Sequence, residues 1–409
     1  MNCRFCSNEF KHEFIDLVNS PPSNSFLAAE ELNNPETFYP LRIFVCDKCF
    51  LVQIDEYKKS DEIFSEKYAY FSSFSVSWLE QARKYVEMII KRLNLNKDSF
   101  VIEIASNDGY LLQFVKERGI PCLGIEPSSN TARVAREKKG IEVIEKFFYT
   151  ELAEDLKKQG RQADLIIGNN VLAHVPLLNN FVKALYIALK PNGTITLEFP
   201  HIMQLIEQNQ FDTIYHEHFS YFTFSTVCKV FDFNGLSVYD VEELPTHGGS
   251  LRIYAKRKND NTKLIGQNVK TLLDKEAKKG MNNIAFYTGF QEKANKVKYD
   301  LLQFLIEQKG KNALVVAYGA AAKGNTLLNY CGIKKDLIEF VVDASPHKQG
   351  KYLPGSHIPV VQESEIRKVK PDFVIILPWN IKDEIMNQLG YIREWDAKFV
   401  VPIPELLVF

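Results

Sequence analysis

The chain has 409 residues, 45% hydrophobic and 25% charged, which excludes a disordered polypeptide and exceeds what one ordinary domain holds. Fifty basic against 51 acidic side chains leave a formal charge of −1, without the basic excess of a protein that grips a phosphate backbone. No apolar run approaches the roughly 18–20 residues that span a bilayer, and MNCRFCSNEF lacks a signal-peptide core, so a cytoplasmic protein with no membrane and no nucleic-acid partner is expected.

Four of the seven cysteines form two matched pairs, Cys3-Arg4-Phe5-Cys6 and Cys46-Asp47-Lys48-Cys49. In a reducing compartment such pairs hold metal more often than they form disulfides. Two C-x-x-C turns supply a closed tetrahedral site, which predicts one structural zinc on Cys3, Cys6, Cys46 and Cys49. The intervening stretch, with Pro21, Pro22, Asn33, Asn34 and Pro35, reads as a loop bulging between the knuckles. Cys122, Cys228 and Cys331 sit in apolar surroundings and read as small core residues.

From Phe100 the pattern is strand, turn, helix, strand: an apolar run to Ile104, the turn Ser106-Asn107-Asp108-Gly109, a helical spacing through Leu111, Leu112 and Val115, and a second apolar run, 121–125, ending at Glu126-Pro127. The first turn has no G-x-G-x-x-G. Only Gly109 remains, so no pyrophosphate cradle is built, and S-adenosylmethionine is favoured over a dinucleotide. The cofactor is expected to lie over Glu103, Ala105, Ser106, Asn107, Asp108 and Gly109, with both ribose hydroxyls on Glu126 beside Pro127. Residues 163–170 read as a further strand, then a helix from Asn179 to Leu189 stopped by Lys190-Pro191-Asn192-Gly193, then a strand from Thr194 to Phe199. Because ligands sit at the carboxyl ends of such strands, Asn169, Asn170, His174, Glu198 and His201 are expected in one crevice, the two asparagines beside the cofactor.

Thr213 to Phe222, TIYHEHFSYF, is the densest set of proton-transfer groups. Its H-E-H spacing is not the H-E-x-x-H of a helical zinc site, since one helix face cannot carry both imidazoles. An extended backbone would send His216 and His218 one way and Glu217 the other. A general-base site is the first reading and a metal site the alternative. Residues 261–310 read as bridging helices. Ala313 to Thr326 then restarts the strand–turn–helix pattern, with later strands at Phe340–Asp343 and Phe373–Leu377. Small residues and Lys323 at its first turn would let backbone amides and an ammonium approach phosphate; helix-against-strand packing is the plain alternative.

The ordered motifs CxxC…CxxC, YAYFSSFSVSW (68–78), EIASNDGYLL, GIEPS, NNVLAHV, YHEHFSYF and HGGSLR (247–252) resemble the bacterial nucleotide-sugar C-methyltransferases of branched deoxysugar biosynthesis, such as the tetronitrose C-3′-methyltransferase. The resemblance implies an α/β protein with a zinc-binding domain (1–65), a central class I methyltransferase domain (66–258), a helical connector (259–310) and a second Rossmann-like domain (311–409). It implies S-adenosylmethionine-dependent C-methylation of a nucleotide-linked 4-keto-6-deoxysugar, at C-3′, through an enolate. His218 would be the base, with Tyr215, Glu217 and His174 on the sugar or enolate oxygen and Tyr68 and Tyr70 closing the site. Lys323, Tyr318 and His247 would contact the nucleotide-diphosphate sugar. An O- or N-methyltransferase of another small molecule is the rival enzyme reading, and a nucleic-acid or protein-binding module the rival without chemistry. Oligomeric state is left open, a monomer included.

Overall fold

The structure, a computed structural model, describes residues 2–59, 71–74 and 76–409. Three sheets organise it. The central one has seven strands in the spatial order Leu236–Leu244, Ser250–Arg257, Leu189–Pro200, Ala163–Asn169, Val101–Ile104, Cys122–Ile125 and Val143–Ile144. The last five run parallel, whereas Ser250–Arg257 runs antiparallel to both of its neighbours. Val101–Ile104 is buried at every position, as a parallel strand covered on both faces must be. The helix Leu178–Ala188 buries seven of its residues against this sheet, and the chain turns directly into the strand at Leu189.

A second, six-stranded sheet repeats the doubly wound plan: Val360–Val361, Val341–Val342, Val315–Tyr318, Phe373–Ile376 and Lys398–Val401 are parallel, and Leu407–Val408 closes the edge antiparallel. Between the two sheets the helices Gln267–Lys278 and Phe290–Gly310 occupy the stretch read as helical.

The stretch between the cysteine pairs is not only a loop. It contains the antiparallel strands His12–Ser20 and Tyr39–Val45, whose alternating apolar residues bury Phe14, Ile15, Leu17, Leu41, Ile43 and Val45. Val52–Ile54 extends this sheet, and its fourth strand is Ser220–Tyr221, from the middle of the chain. The N-terminal sheet is therefore completed by the segment that follows the histidine cluster. Among the described residues no helix is long and apolar enough to cross a membrane.

In both parallel sheets the first strand has neighbours on either side, so the strand order reverses there and opens a crevice at the carboxyl ends. The loops leaving these two strands, at Ala105–Asn107 and Ala321–Lys323, face one shared cavity.

Candidate active site

The cavity has a volume of about 690 Å³ and draws its walls from the central and C-terminal units and from Asn24, in the loop after the strand His12–Ser20. At the central sheet, Ala105 and Asn107 take left-handed backbone angles (φ 56° and 50°), followed by Gly109 at 74°. Glycine adopts that region freely and the other two do so at a cost, which makes this a strongly shaped turn. Glu126 shapes it. One carboxylate oxygen accepts the Asn107 N–H at 2.9 Å and the other the Ser128 N–H at 2.9 Å. Burial raises its pKa above the usual carboxylate value, and the two amides pull it back down. Ala105, Asn107, Glu126, Pro127 and Asn169 line the cavity, joined by Phe147 and Tyr149. Glu103, Ser106, Asp108 and Gly109 stand behind that surface. Glu103 is buried, and burial, then Asp108 and Glu126, push its pKa well up. Asp108 accepts the Ser73 N–H at 3.3 Å, and Asn107 Oδ1 accepts the Ser72 N–H at 2.9 Å, which seats residues 72–73 on the turn.

The histidine segment is not extended, contrary to the alternation expected from an extended backbone. The His218 N–H donates to Tyr215 O at 2.9 Å, which curls residues 215–218 into a turn. Glu217 and His218 consequently both line the cavity with Tyr215, while His216 points away and donates to Pro40 O at 3.2 Å. A metal pair of His216 and His218 is thereby excluded by direction, and among the described residues only the four N-terminal cysteines cluster as metal ligands.

His218 Nδ1 lies 3.0 Å from Thr213 O, which can only accept, so the N–H belongs on Nδ1 and the Nε2 lone pair receives the Tyr215 hydroxyl at 2.8 Å. Burial, then the neighbouring His174, hold the imidazole well below its ordinary pKa and therefore neutral. The His174 ring packs edge-on at 4.7 Å, its own pKa lowered by burial to about 4. Burial raises Glu217 to about 7, although its Oε1 accepts a hydrogen bond from Asn24 at 2.7 Å. His247 Nε2 accepts from Asn170 Nδ2 at 3.0 Å, and burial takes it to about 4.

On the C-terminal side, Lys323 lies in the first turn of the helix Ala322–Cys331, donates to Asn380 Oδ1 at 2.7 Å and stands 4.6 Å above the Trp379 ring. Burial lowers its pKa and Asp212 offsets part of that. Lys348 and Lys146 also line the cavity. Of the other expected residues, Tyr318 is turned away and accepts from Gln388 at 3.0 Å. Glu198 is taken up by Arg252 (2.8 Å) and Thr246 (2.7 Å), and His201 by Glu276 at 2.7 Å. Tyr68 and Tyr70 lie outside the described residues. Asn24, Lys146, Phe147, Tyr149 and Lys348 are cavity residues that the sequence did not mark; in a proline-rich loop an asparagine reads as turn chemistry, and nothing local points Asn24 at Glu217.

The four cysteine sulfurs lie within 4.8 Å of one another, with Cys3–Cys49 at 3.5 Å and Cys6–Cys46 at 3.6 Å, and none forms a disulfide. A tetrahedral ion with Zn–S bonds of about 2.3 Å sets its ligands roughly 3.8 Å apart, so the donor set fits zinc. Gln53 Nε2 donates to Cys3 Sγ at 3.3 Å, an outer hydrogen bond of the kind that orients metal thiolates.

Three family models match in order: a "Putative zinc binding domain" over residues 3–64, a methyltransferase domain over 78–241 and a C-methyltransferase C-terminal domain over 245–404. The C-methyltransferase NovU of Streptomyces niveus is 31% identical over 403 residues, covering 98% of this chain and 95% of NovU. The chain belongs to this C-methyltransferase family. A mitochondrial ubiquinone biosynthesis O-methyltransferase of Rattus norvegicus is 22% identical over 173 residues, covering 36% of this chain and 50% of that protein. Among solved structures, the PH0226 protein of Pyrococcus horikoshii matches with a TM-score of 0.37 at 16% identity, covering 49% of this chain and all of that one. The enzyme is thus a methyltransferase that uses S-adenosylmethionine, with a zinc-binding N-terminal domain.

Proposed function

We propose that this C-methyltransferase acts on a nucleotide-linked 4-keto-6-deoxysugar, methylating the carbon beside the ketone, at C-3′, in branched deoxysugar biosynthesis. The observation that carries this reading is the chain Thr213 O–His218–Tyr215 inside the cavity: a neutral imidazole with its Nδ1 proton anchored and its Nε2 lone pair turned inward. A sugar carbon becomes a nucleophile only as an enolate, which needs a base and a donor to the developing oxyanion. His218 takes the proton at Nε2, directly or through the Tyr215 hydroxyl that sits on that atom. Glu217, which burial keeps protonated below about pH 7, donates to the ketone oxygen, joined by the Tyr215 hydroxyl when it leaves Nε2, with His174 lining the same wall. The bound cofactor supplies the electrophilic methyl group. Ala105, Asn107, Glu126, Pro127, Asn169 and Asn170 would hold it, the Glu126 carboxylate retaining lone pairs for the ribose beyond the two amides it already accepts.

The charge at the far end supports a diphosphate. Lys323, Lys348 and the N-terminus of Ala322–Cys331 meet at one side of the cavity, where an anion is favoured. Incubation with methyl-labelled cofactor and a panel of dTDP- and GDP-4-keto-6-deoxysugars tests the reading. A new C–CH₃ group on the sugar by NMR is expected. Turnover of none of them, or a methyl ether product, would overturn it.

A further inference from the structure

Arg4 stands between the two cysteines of the first knuckle, and its guanidinium has no carboxylate within ion-pairing distance among the described residues. Instead a single nitrogen, Nη1, donates to Ile54 O at 2.8 Å and to Phe219 O at 2.7 Å, and the guanidinium faces the Phe219 ring at 5.6 Å. Phe219 directly follows His218. Its carbonyl also accepts the Ile54 N–H at 3.2 Å, so both lone pairs of that oxygen are held from the N-terminal domain. The two residues beyond it pair as Gln53–Ser220 and Val52–Tyr221, and regular strand pairing stops there. Arg4 therefore bridges the point where the ladder ends and the cavity turn begins. The knuckle is tied to the same strand from behind: the Arg4 N–H donates to Gln53 Oε1 at 2.9 Å while Gln53 Nε2 donates to Cys3 Sγ.

We propose that Arg4 is a positioning residue for methyl transfer, through which the metal-binding knuckle fixes the main chain at Phe219 and so aims the His218 ring at Tyr215. The proposal rests on the reading of His218 as the base. A cation is suited to the place because one charged nitrogen satisfies two converging carbonyls, and charge-assisted hydrogen bonds are the stronger and shorter class. A catalytic group displaced by about 1 Å can lose about 10²-fold in turnover.

The test uses full-length, zinc-loaded protein carrying Arg4→Met, which keeps the packing on Phe219, and Arg4→Lys, which restores a cation with several donors. Zinc content, cofactor affinity by calorimetry and the imidazole ¹⁵N resonances are read together, the His218 signals being those missing from His218→Asn. We expect Arg4→Met to retain one zinc and unchanged cofactor affinity, to displace the His218 ring signals, and to lower kcat about 10²-fold with little change in KM. Arg4→Lys should return the signals toward wild type and recover most of the turnover. His218 resonances in Arg4→Met that coincide with wild type would overturn the proposal whatever the rate. Should Arg4→Met not accumulate as folded protein, Arg4→Gln is read by the same signals and the same criteria. A His218→Asn enzyme turning over at the wild-type rate would instead sink the base assignment, so the two failures are distinct.

Discussion

His218 and Glu217 are adjacent in sequence and are driven in opposite directions by the same cause. Burial disfavours whichever form carries charge, so the imidazole loses affinity for its proton while the carboxyl gains it. Below about pH 7 both groups are then neutral, one an acceptor and one a donor, the pairing that enolate formation requires. Turnover should persist as pH falls through 6.5, where an ordinary imidazole would be protonated, and should decline above about 7 as Glu217 ionises and ceases to donate. Glu217→Gln, a permanently neutral donor, should lose that alkaline decline. A pH–rate profile with an acid limb at the ordinary histidine value would contradict the assignment. Glu126 gives a second prediction at this scale. Glu126→Ala removes the acceptor for the Asn107 and Ser128 amides and the one proposed for the ribose, and calorimetry should show cofactor binding weakened by about 1–3 kcal/mol. Residue chemistry was largely legible in the sequence because the residue types are rare in combination. Their directions were not: His216 and His218 separate because a single backbone hydrogen bond, His218 N to Tyr215 O, replaces an extended chain by a turn.

At the scale of elements, the strand–turn–helix units were readable at both parallel sheets, since fully buried strands carry continuous apolar runs that end in polar turns. The pair of N-terminal strands was not, because proline and asparagine in the intervening loop dominate the local signal. The helix Ala322–Cys331 carries Lys323 in its first turn, and under the proposed reading that ammonium contacts the diphosphate. Lys323→Met should raise KM for the nucleotide-sugar about 10-fold or more, the loss of one charge-assisted contact, and leave cofactor affinity unchanged by calorimetry. Tyr318 shows the limit of such reading. It ends the strand of the same unit, yet its hydroxyl is with Gln388 and it does not line the cavity. The zinc knuckles carry their own test. Cys46→Ser should leave well under one zinc per chain by elemental analysis and lower the melting temperature by roughly 5–10 °C, while any folded protein still binds the cofactor.

Taken whole, the molecule is arranged so that no one domain owns the site. The central sheet supplies the turn at Ala105–Asn107, the C-terminal unit supplies Lys323, and the N-terminal domain supplies Asn24 and completes its own sheet with Ser220–Tyr221. That last arrangement has no local sequence signature: a two-residue strand pairing with residues 52–53 is a contact between distant segments, invisible to periodicity. It also joins the zinc-binding domain to the cavity, for Phe219 and Ser220 are held from that domain immediately beside His218. The claim that His218 removes the proton beside the ketone is tested most directly by solvent deuterium exchange into the keto-sugar with S-adenosylhomocysteine in place of the methyl donor, which isolates proton abstraction from transfer. His218→Asn should slow that exchange by about 10²–10⁴-fold with cofactor binding intact; exchange at the wild-type rate in the variant would place the base elsewhere, with Glu217 the first candidate.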